Sequence, residues 1–187
     1  MLLYHFTCFA HLPEVIRDGI TKGEVPTGPI RYANSPQAAN LTKNPKREDQ
    51  HWTYSSACDK ARIRLTVEIP DSELTSFREV VERYKIRNSW AKRAGPNYAR
   101  RQWYFAFGGV RPDQIRLVEK WDNGKYTVVD NLPELVQQIL AERERALIFS
   151  ITPSGITKGA LRVRLKPGVE STWLLDGAIF RMRRTMP

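Results

Sequence analysis

Cysteine is almost missing from this chain: Cys8 and Cys58 are the two thiols in 187 residues. Two thiols cannot make a disulfide scaffold, so an apolar core in a reducing, cytoplasmic setting is expected. No apolar run approaches the ~20 residues that a membrane-spanning helix requires. The N-terminus has neither the basic n-region nor the small-residue cleavage site of a secretory leader. Metal-ligand spacing is also missing. There is no His-Glu-x-x-His and no Cys-x-x-Cys, and His5, His11 and His51 form no ligand pattern, so no metal is expected. The chain has no P-loop and no Gly-x-Gly-x-x-Gly, which excludes the two commonest phosphate-cradling nucleotide sites. No repeat or low-complexity tract is visible.

Acidic residues are the other shortage. Twenty Asp and Glu face thirty Lys and Arg, a net charge of +10. Such a field attracts nucleic acid, acidic proteins or anionic cofactors, and it also serves solubility alone. The imbalance is concentrated between Lys85 and Arg101. That stretch holds Lys85, Arg87, Lys92, Arg93, Arg100 and Arg101, no acid, and the aromatics Trp90 and Tyr98. Cations interleaved with aromatics suit a phosphodiester backbone and its bases. A solvated basic loop is the plainer reading of the same residues.

Periodicity gives an α+β chain. Residues 2–7, Leu-Leu-Tyr-His-Phe-Thr, read as a strand that delivers one imidazole and one hydroxyl at its end. Pro13 suits the first turn of a short helix bearing Leu12, Val15 and Ile16 on one face, and Gly19 suits its stop. Residues 30–34 read as a short strand, 35–39 as a capped helical turn, 40–45 as extended chain and 46–56 as a loop. Ile63, Leu65, Val67 and Ile69 alternate with Arg62, Arg64, Thr66 and Glu68, the pattern of a half-buried antiparallel strand. Residues 72–84 read as an amphipathic helix. Gln102 opens an aromatic strand, residues 102–107. Residues 115–121 and 126–129 read as strands joined by Asn123-Gly124, a two-residue hairpin turn. A helix over 132–145 and strands over 160–165 and 173–182 complete the chain. The length suits a domain over residues 1–130 with a C-terminal helix-and-strand extension over 131–187.

Polar side chains thus gather at strand ends: His5 and Thr7 first, Tyr32 or Thr42 next, Gln102 late. Each alone reads as structural, a hydrogen-bonded core His being the common case. Their order resembles the ADP-ribosyltransferase superfamily. Tyr4-His5-Phe6-Thr7 followed by Leu12, Ile16 and Gly19 resembles the opening of bacterial and phage members that modify nucleic acids. Asn40 to Pro45, Arg64 to Pro70 and Trp103 to Pro112 are similar to later segments of that pattern. The resemblance covers roughly residues 2–121. It implies a split, bent, mostly antiparallel sheet with short helices, binding NAD+ without a Rossmann fold.

The resemblance also implies roles. His5 would contact the nicotinamide ribose, Thr7 would help to place the nicotinamide amide, and Phe6 would also belong to the NAD+ site. Tyr32 or Trp52 would stack on the ring, with Thr42 nearby. The late-strand Glu of the family falls on Gln102, a departure. An amide keeps hydrogen bonds but lacks the charge that steadies an oxocarbenium ion. Glu68 or Glu119 would have to substitute, and Glu68, on the polar face of its strand, is the better placed. The implied activity is transfer of ADP-ribose to nucleic acid or protein in phage–host conflict, as a toxin or an anti-defence factor. Two alternatives use the same residues: a non-catalytic basic binding or inhibitor module, and a phosphotransferase or nuclease acting on RNA ends.

Overall fold

The computed structural model describes residues 1–21, 23–27, 36–50, 58–150, 171–175 and 178–182, with side chains described as far as residue 143. The predicted strand over 30–34 and the sites Tyr32 and Trp52 lie outside the described residues, as does the strand predicted over 160–165. The chain divides into two compact units, Met1–Leu135 and Val136–Pro187. The boundary falls inside a helix rather than at residue 130.

The first unit is α+β. Strand β1 (Leu2–Thr7) is followed by α1 (Leu12–Asp18), β2 (Ala39–Thr42) and β3 (Ile63–Glu68). A two-residue strand β4 (Thr75–Ser76), helices α2 (Phe77–Arg83), α3 (Asn88–Ala94) and α4 (Asn97–Arg100), and strand β5 (Trp103–Ala106) come next. The hairpin of β6 (Ile115–Asp122) and β7 (Lys125–Val128) leads to α5 (Leu132–Ser150). The second unit holds the rest of α5 and a hairpin of β8 (Ser171–Leu175) and β9 (Ala178–Met182).

Seven strands form one antiparallel sheet in the order β4-β5-β2-β1-β3-β6-β7. β1 pairs with β3 along its whole length, from Leu2↔Glu68 to Thr7↔Ile63. Its other neighbour, β2, is registered with it at one position, Tyr4↔Thr42. The sheet is therefore two ladders, β4-β5-β2 and β1-β3-β6-β7, joined by a single pair.

Partners in register share a face. Leu3, His5 and Thr7 lie on one face with Val67, Leu65 and Ile63; Tyr4 and Phe6 lie on the other with Thr66 and Arg64. On the β5 side, Phe77, Val80, Ala91 and Ala99 from the short helices, with Ile86 between α2 and α3, pack with Trp103 and Phe105. The rings of Phe77 and Trp103 meet edge to face at 5.4 Å.

Local chemistry explains the boundaries. Gly19 caps α1 at φ 80°, its N–H bonded to the Val15 carbonyl at 2.9 Å. A Cβ there would sit 2.0 Å from the Val110 carbonyl oxygen, which accepts the Ile20 N–H, so a side chain is excluded twice over. Asn123 and Gly124 both take positive φ, as the β6–β7 turn requires.

The predicted helix over 72–84 is shorter than expected. Ser76 and Glu79 close a capping box that starts α2 at Phe77, leaving residues 71–73 as a 3-10 turn and 75–76 as β4. Of the capped turn expected at 35–39, the described residues 36–39 are extended instead, since Gln37 bridges Glu24 and β2 begins at Ala39. The basic stretch from Lys85 holds α3 and α4 rather than a loop.

Arg64 ties the sheet together. Its guanidinium forks onto the Glu119 carboxylate with two bonds of 2.7 Å and donates to the Pro45 carbonyl, also at 2.7 Å. It lies 4.1 Å from the Tyr126 ring centroid and 5.5 Å from that of Tyr4. Both members of the pair are mostly buried, at 17% and 10% side-chain exposure. Breaking such a pair from one side leaves an uncompensated buried charge. Glu119→Gln should cost about 3 kcal/mol in urea unfolding, and Arg64→Met with Glu119→Leu should recover most of it. Equal loss in the single and double variants would show that the packing, not the charge, matters.

Candidate functional site

Of the predicted residues, His5 and Thr42 lie where β1 and β2 part. Beyond Tyr4↔Thr42 the two strands share no further registered pair. His5 spans the opening: its Nδ1 lies 2.8 Å from the Asn40 carbonyl oxygen of β2. A carbonyl can only accept, so Nδ1 carries the proton and Nε2 the lone pair in the neutral ring. Burial on the Leu65 face pushes the imidazole pKa down from 6.5 to about 4; the Asn40 bond opposes this, while Lys60 and His11 add to it. At neutral pH His5 is an uncharged donor to β2 with an acceptor nitrogen on its other side.

Thr42 is opposite Tyr4 on one side and opposite Trp103 on the other. It is buried, and its Oγ1 accepts the Asn44 N–H at 3.1 Å. Gln102 immediately precedes β5, and its carbonyl accepts the Lys43 N–H at 2.9 Å. The three sequence-distant positions 5, 42 and 102 form only a staggered strand-end row: Thr42 shares the face of its partner Tyr4, opposite His5, and Gln102 lies one residue before β5, beside Lys43. The Gln102 side chain donates to the Tyr98 carbonyl at 3.4 Å. The turn after Thr42 is stitched: Asn44 bonds Asp49, and Gln50 donates to the carbonyls of Asn44 and Lys46.

Other expected residues serve elsewhere. Phe6 is 2% exposed and packs near Tyr126, on the face opposite His5. Thr7 is buried on the His5 face. Glu68 does not join the row. It pairs with Leu2 in register, three positions from Leu65, about 10 Å along the strand at the usual rise. Its carboxylate is held by Arg116 at 2.9 Å. Glu119 is committed to Arg64. Neither supplies the carboxylate that Gln102 lacks. Glu68 instead lines a cleft of about 350 Å³ at the start of β1, with Met1, Arg111, Gln114 and Arg116. There Arg111 is engaged by Asp113 and Arg116 by Glu68.

The basic stretch is a surface. Lys85, Arg87, Lys92, Arg93 and Arg101 are exposed, and no ion pair among the described residues holds them. Tyr98 is 55% exposed. Trp90 corrects the expectation of a stacking platform. Its ring is partly buried against the Phe77–Trp103 core, and its indole N–H donates to the Pro26 carbonyl at 3.2 Å. Arg100 is half-buried, its guanidinium 5.9 Å from the Phe77 ring. Because Arg101 immediately precedes Gln102, this surface runs up to the strand-end row.

Asn40 was not singled out by sequence reasoning. Its carbonyl receives His5, its amide donates to the Glu24 carbonyl at 3.1 Å, and its Oδ1 is buried without a hydrogen-bond partner. An Asn within an extended run carries no signal of this kind. Among the described residues, no group of three or more His, Cys, Asp or Glu is arranged to hold a metal, and no helix is long and apolar enough to cross a membrane. No family model, curated protein or solved structure matches the chain.

The lowered His5 pKa has a consequence for stability. Between pH 6.5 and about 4 the unfolded chain takes up a proton at His5 that the folded chain refuses. Stability from this group is therefore full above 6.5 and falls as the pH drops through that window. His5→Gln should flatten this part of the urea-midpoint profile. An unchanged slope would mean that His5 titrates alike in both states.

Proposed function

We propose that this chain is an ADP-ribosyltransferase-like protein that holds NAD+ where β1 and β2 part and acts on a polyanionic acceptor. One observation carries the reading: where β1 and β2 part, His5 Nδ1 donates to the Asn40 carbonyl, which leaves Nε2 as an acceptor at that opening. The resemblance expected a split sheet with its polar residues in this order, and a seam held by one registered pair is consistent with that. His5 Nε2 is suited to accept a ribose hydroxyl, since Nδ1 is occupied by Asn40. In transfer, the bond between nicotinamide and ribose C1′ breaks and nicotinamide leaves with the bonding pair. An acceptor oxygen or nitrogen then attacks C1′ and loses its proton. Gln102 would hold a ribose hydroxyl without offering charge to the developing cation. The exposed cations from Lys85 to Arg101 would hold the acceptor, nucleic acid before acidic protein because the stretch carries no acid.

The test is transfer of label from NAD+ to nucleic acid, with protease and nuclease digestion of parallel samples. Nuclease-sensitive, protease-resistant label is expected. His5→Ala should lower transfer ~100-fold or more, and Gln102→Glu should raise it by a similar factor. Unchanged turnover in His5→Ala would sink the reading.

A second reading is favoured by Gln102 itself: an inert scaffold that binds nucleic acid through the same surface. Binding would then need no NAD+ and would weaken steeply with salt. Lys92→Glu with Arg93→Glu should lower the slope of log affinity against log salt by about 2 if each cation neutralises one phosphate. An unchanged slope would remove this surface from the interface, whichever reading holds.

A further inference from the structure

The two cysteines come from either end of the segment that joins β1 to β3, and the ladder brings them together. Cys8 follows β1 directly. The last β1–β3 pair is Thr7↔Ile63, so the chain leaving β1 runs beside the chain entering β3. Residues 58–62 fold back in a turn, with Arg62 N–H bonded to the Asp59 carbonyl at 3.1 Å and Ala61 N–H to the Asp59 carboxylate at 3.0 Å. Cys58 thereby meets Cys8 in a side-chain hydrogen bond. On its other side, Cys8 Sγ lies 3.3 Å from His11 Nδ1. Cys8 is 3% exposed, while Cys58 is half-exposed.

We propose that Cys8 and Cys58 form a reversible disulfide, a redox modification site one residue beyond the end of β1. The roles follow from exposure. Cys58 is reached by solvent and attacks first. Cys8 is buried and held in its thiol form by burial and by its bond to Cys58, so it acts second. With a low-molecular-weight disulfide such as oxidised glutathione, the Cys58 thiolate attacks one sulfur. The glutathione S–S bond breaks and one glutathione thiolate leaves. Cys8 Sγ then passes its proton to His11 Nδ1 and attacks the Cys58 sulfur. The second glutathione leaves, and the protein S–S bond is formed. Two protein thiols are oxidised and one glutathione disulfide is reduced to two thiols. Thiols held in contact by a paired ladder close in preference to taking up glutathione separately.

The full chain should be equilibrated over a series of reduced-to-oxidised glutathione ratios, acid-quenched, alkylated and weighed intact. The expected result is joint disappearance of both thiols, with loss of two hydrogens and no retained glutathione. Cys8→Ser should instead accumulate a mixed disulfide at Cys58, because the second thiol is gone. The wild-type series repeated in denaturant should retain glutathione, which ties closure to the fold. Retained glutathione on the folded wild type, or two alkylated thiols at the most oxidising ratio, would overturn the proposal. The readout is mass alone, so it stands or falls apart from NAD+ transfer.

Discussion

The Arg64 guanidinium is the contact on which the arrangement of the first unit depends. It lies on β3, forks onto Glu119 of β6 and reaches the Pro45 carbonyl in the turn after β2. The last of these bonds matters most for the site. β1 and β2 hold each other by one registered pair, which is too little to fix two ladders. Arg64 adds a charge-assisted bond from the β3 side to the chain just beyond that pair. Tyr4 and Tyr126 flank the cation, so its third dimension is closed by ring faces rather than water. The seam can therefore open beyond Tyr4 without the ladders drifting apart.

That opening sets the chemistry of His5. A ladder that continued past Tyr4 would have given the Asn40 carbonyl a backbone partner. The strands part, and the imidazole fills that role with a side-chain N–H. Two consequences are linked. The bond fixes the tautomer, and burial on the Leu65 face keeps the ring neutral. A neutral His with a defined acceptor nitrogen is a positioning group for a hydroxyl; it is not a charge carrier. Any developing positive charge near it must be met by something else, since Glu68 and Glu119 lie on the opposite face and are paired with Arg116 and Arg64.

Much of this was legible in the sequence where chemistry is local. Alternation marked β3 and β6, Asn123-Gly124 marked the hairpin, and Pro13 with Gly19 bracketed α1, because each signal depends on neighbours along the chain. The boundary of α2 was missed because Ser76 and Glu79 cap a helix that the apolar spacing alone extends to residue 72. Trp90 was misread for the opposite reason. Among cations it reads as a binding aromatic, yet its burial is decided by Phe77 and Trp103 across the core. Glu68 looked suitable because it lies on the polar face, and face says nothing about level along a strand. Its register with Leu2 puts it at the wrong end.

Register also bears on Gln102, the residue on which the proposed reading turns. Position 102 stands beside Lys43 just beyond the β2–β5 ladder, its carbonyl accepting the Lys43 N–H. Its side chain already has a carbonyl partner in Tyr98. In the proposed reading the amide would keep a hydrogen bond to a ribose and give up the charge that lowers a barrier. Binding and turnover would then be separable: His5 would bear on whether the nucleotide is held, and position 102 on whether the bond to nicotinamide breaks. The exposed cations between residues 85 and 101 fit either outcome of the proposed reading, because they would act on the acceptor before any bond is broken.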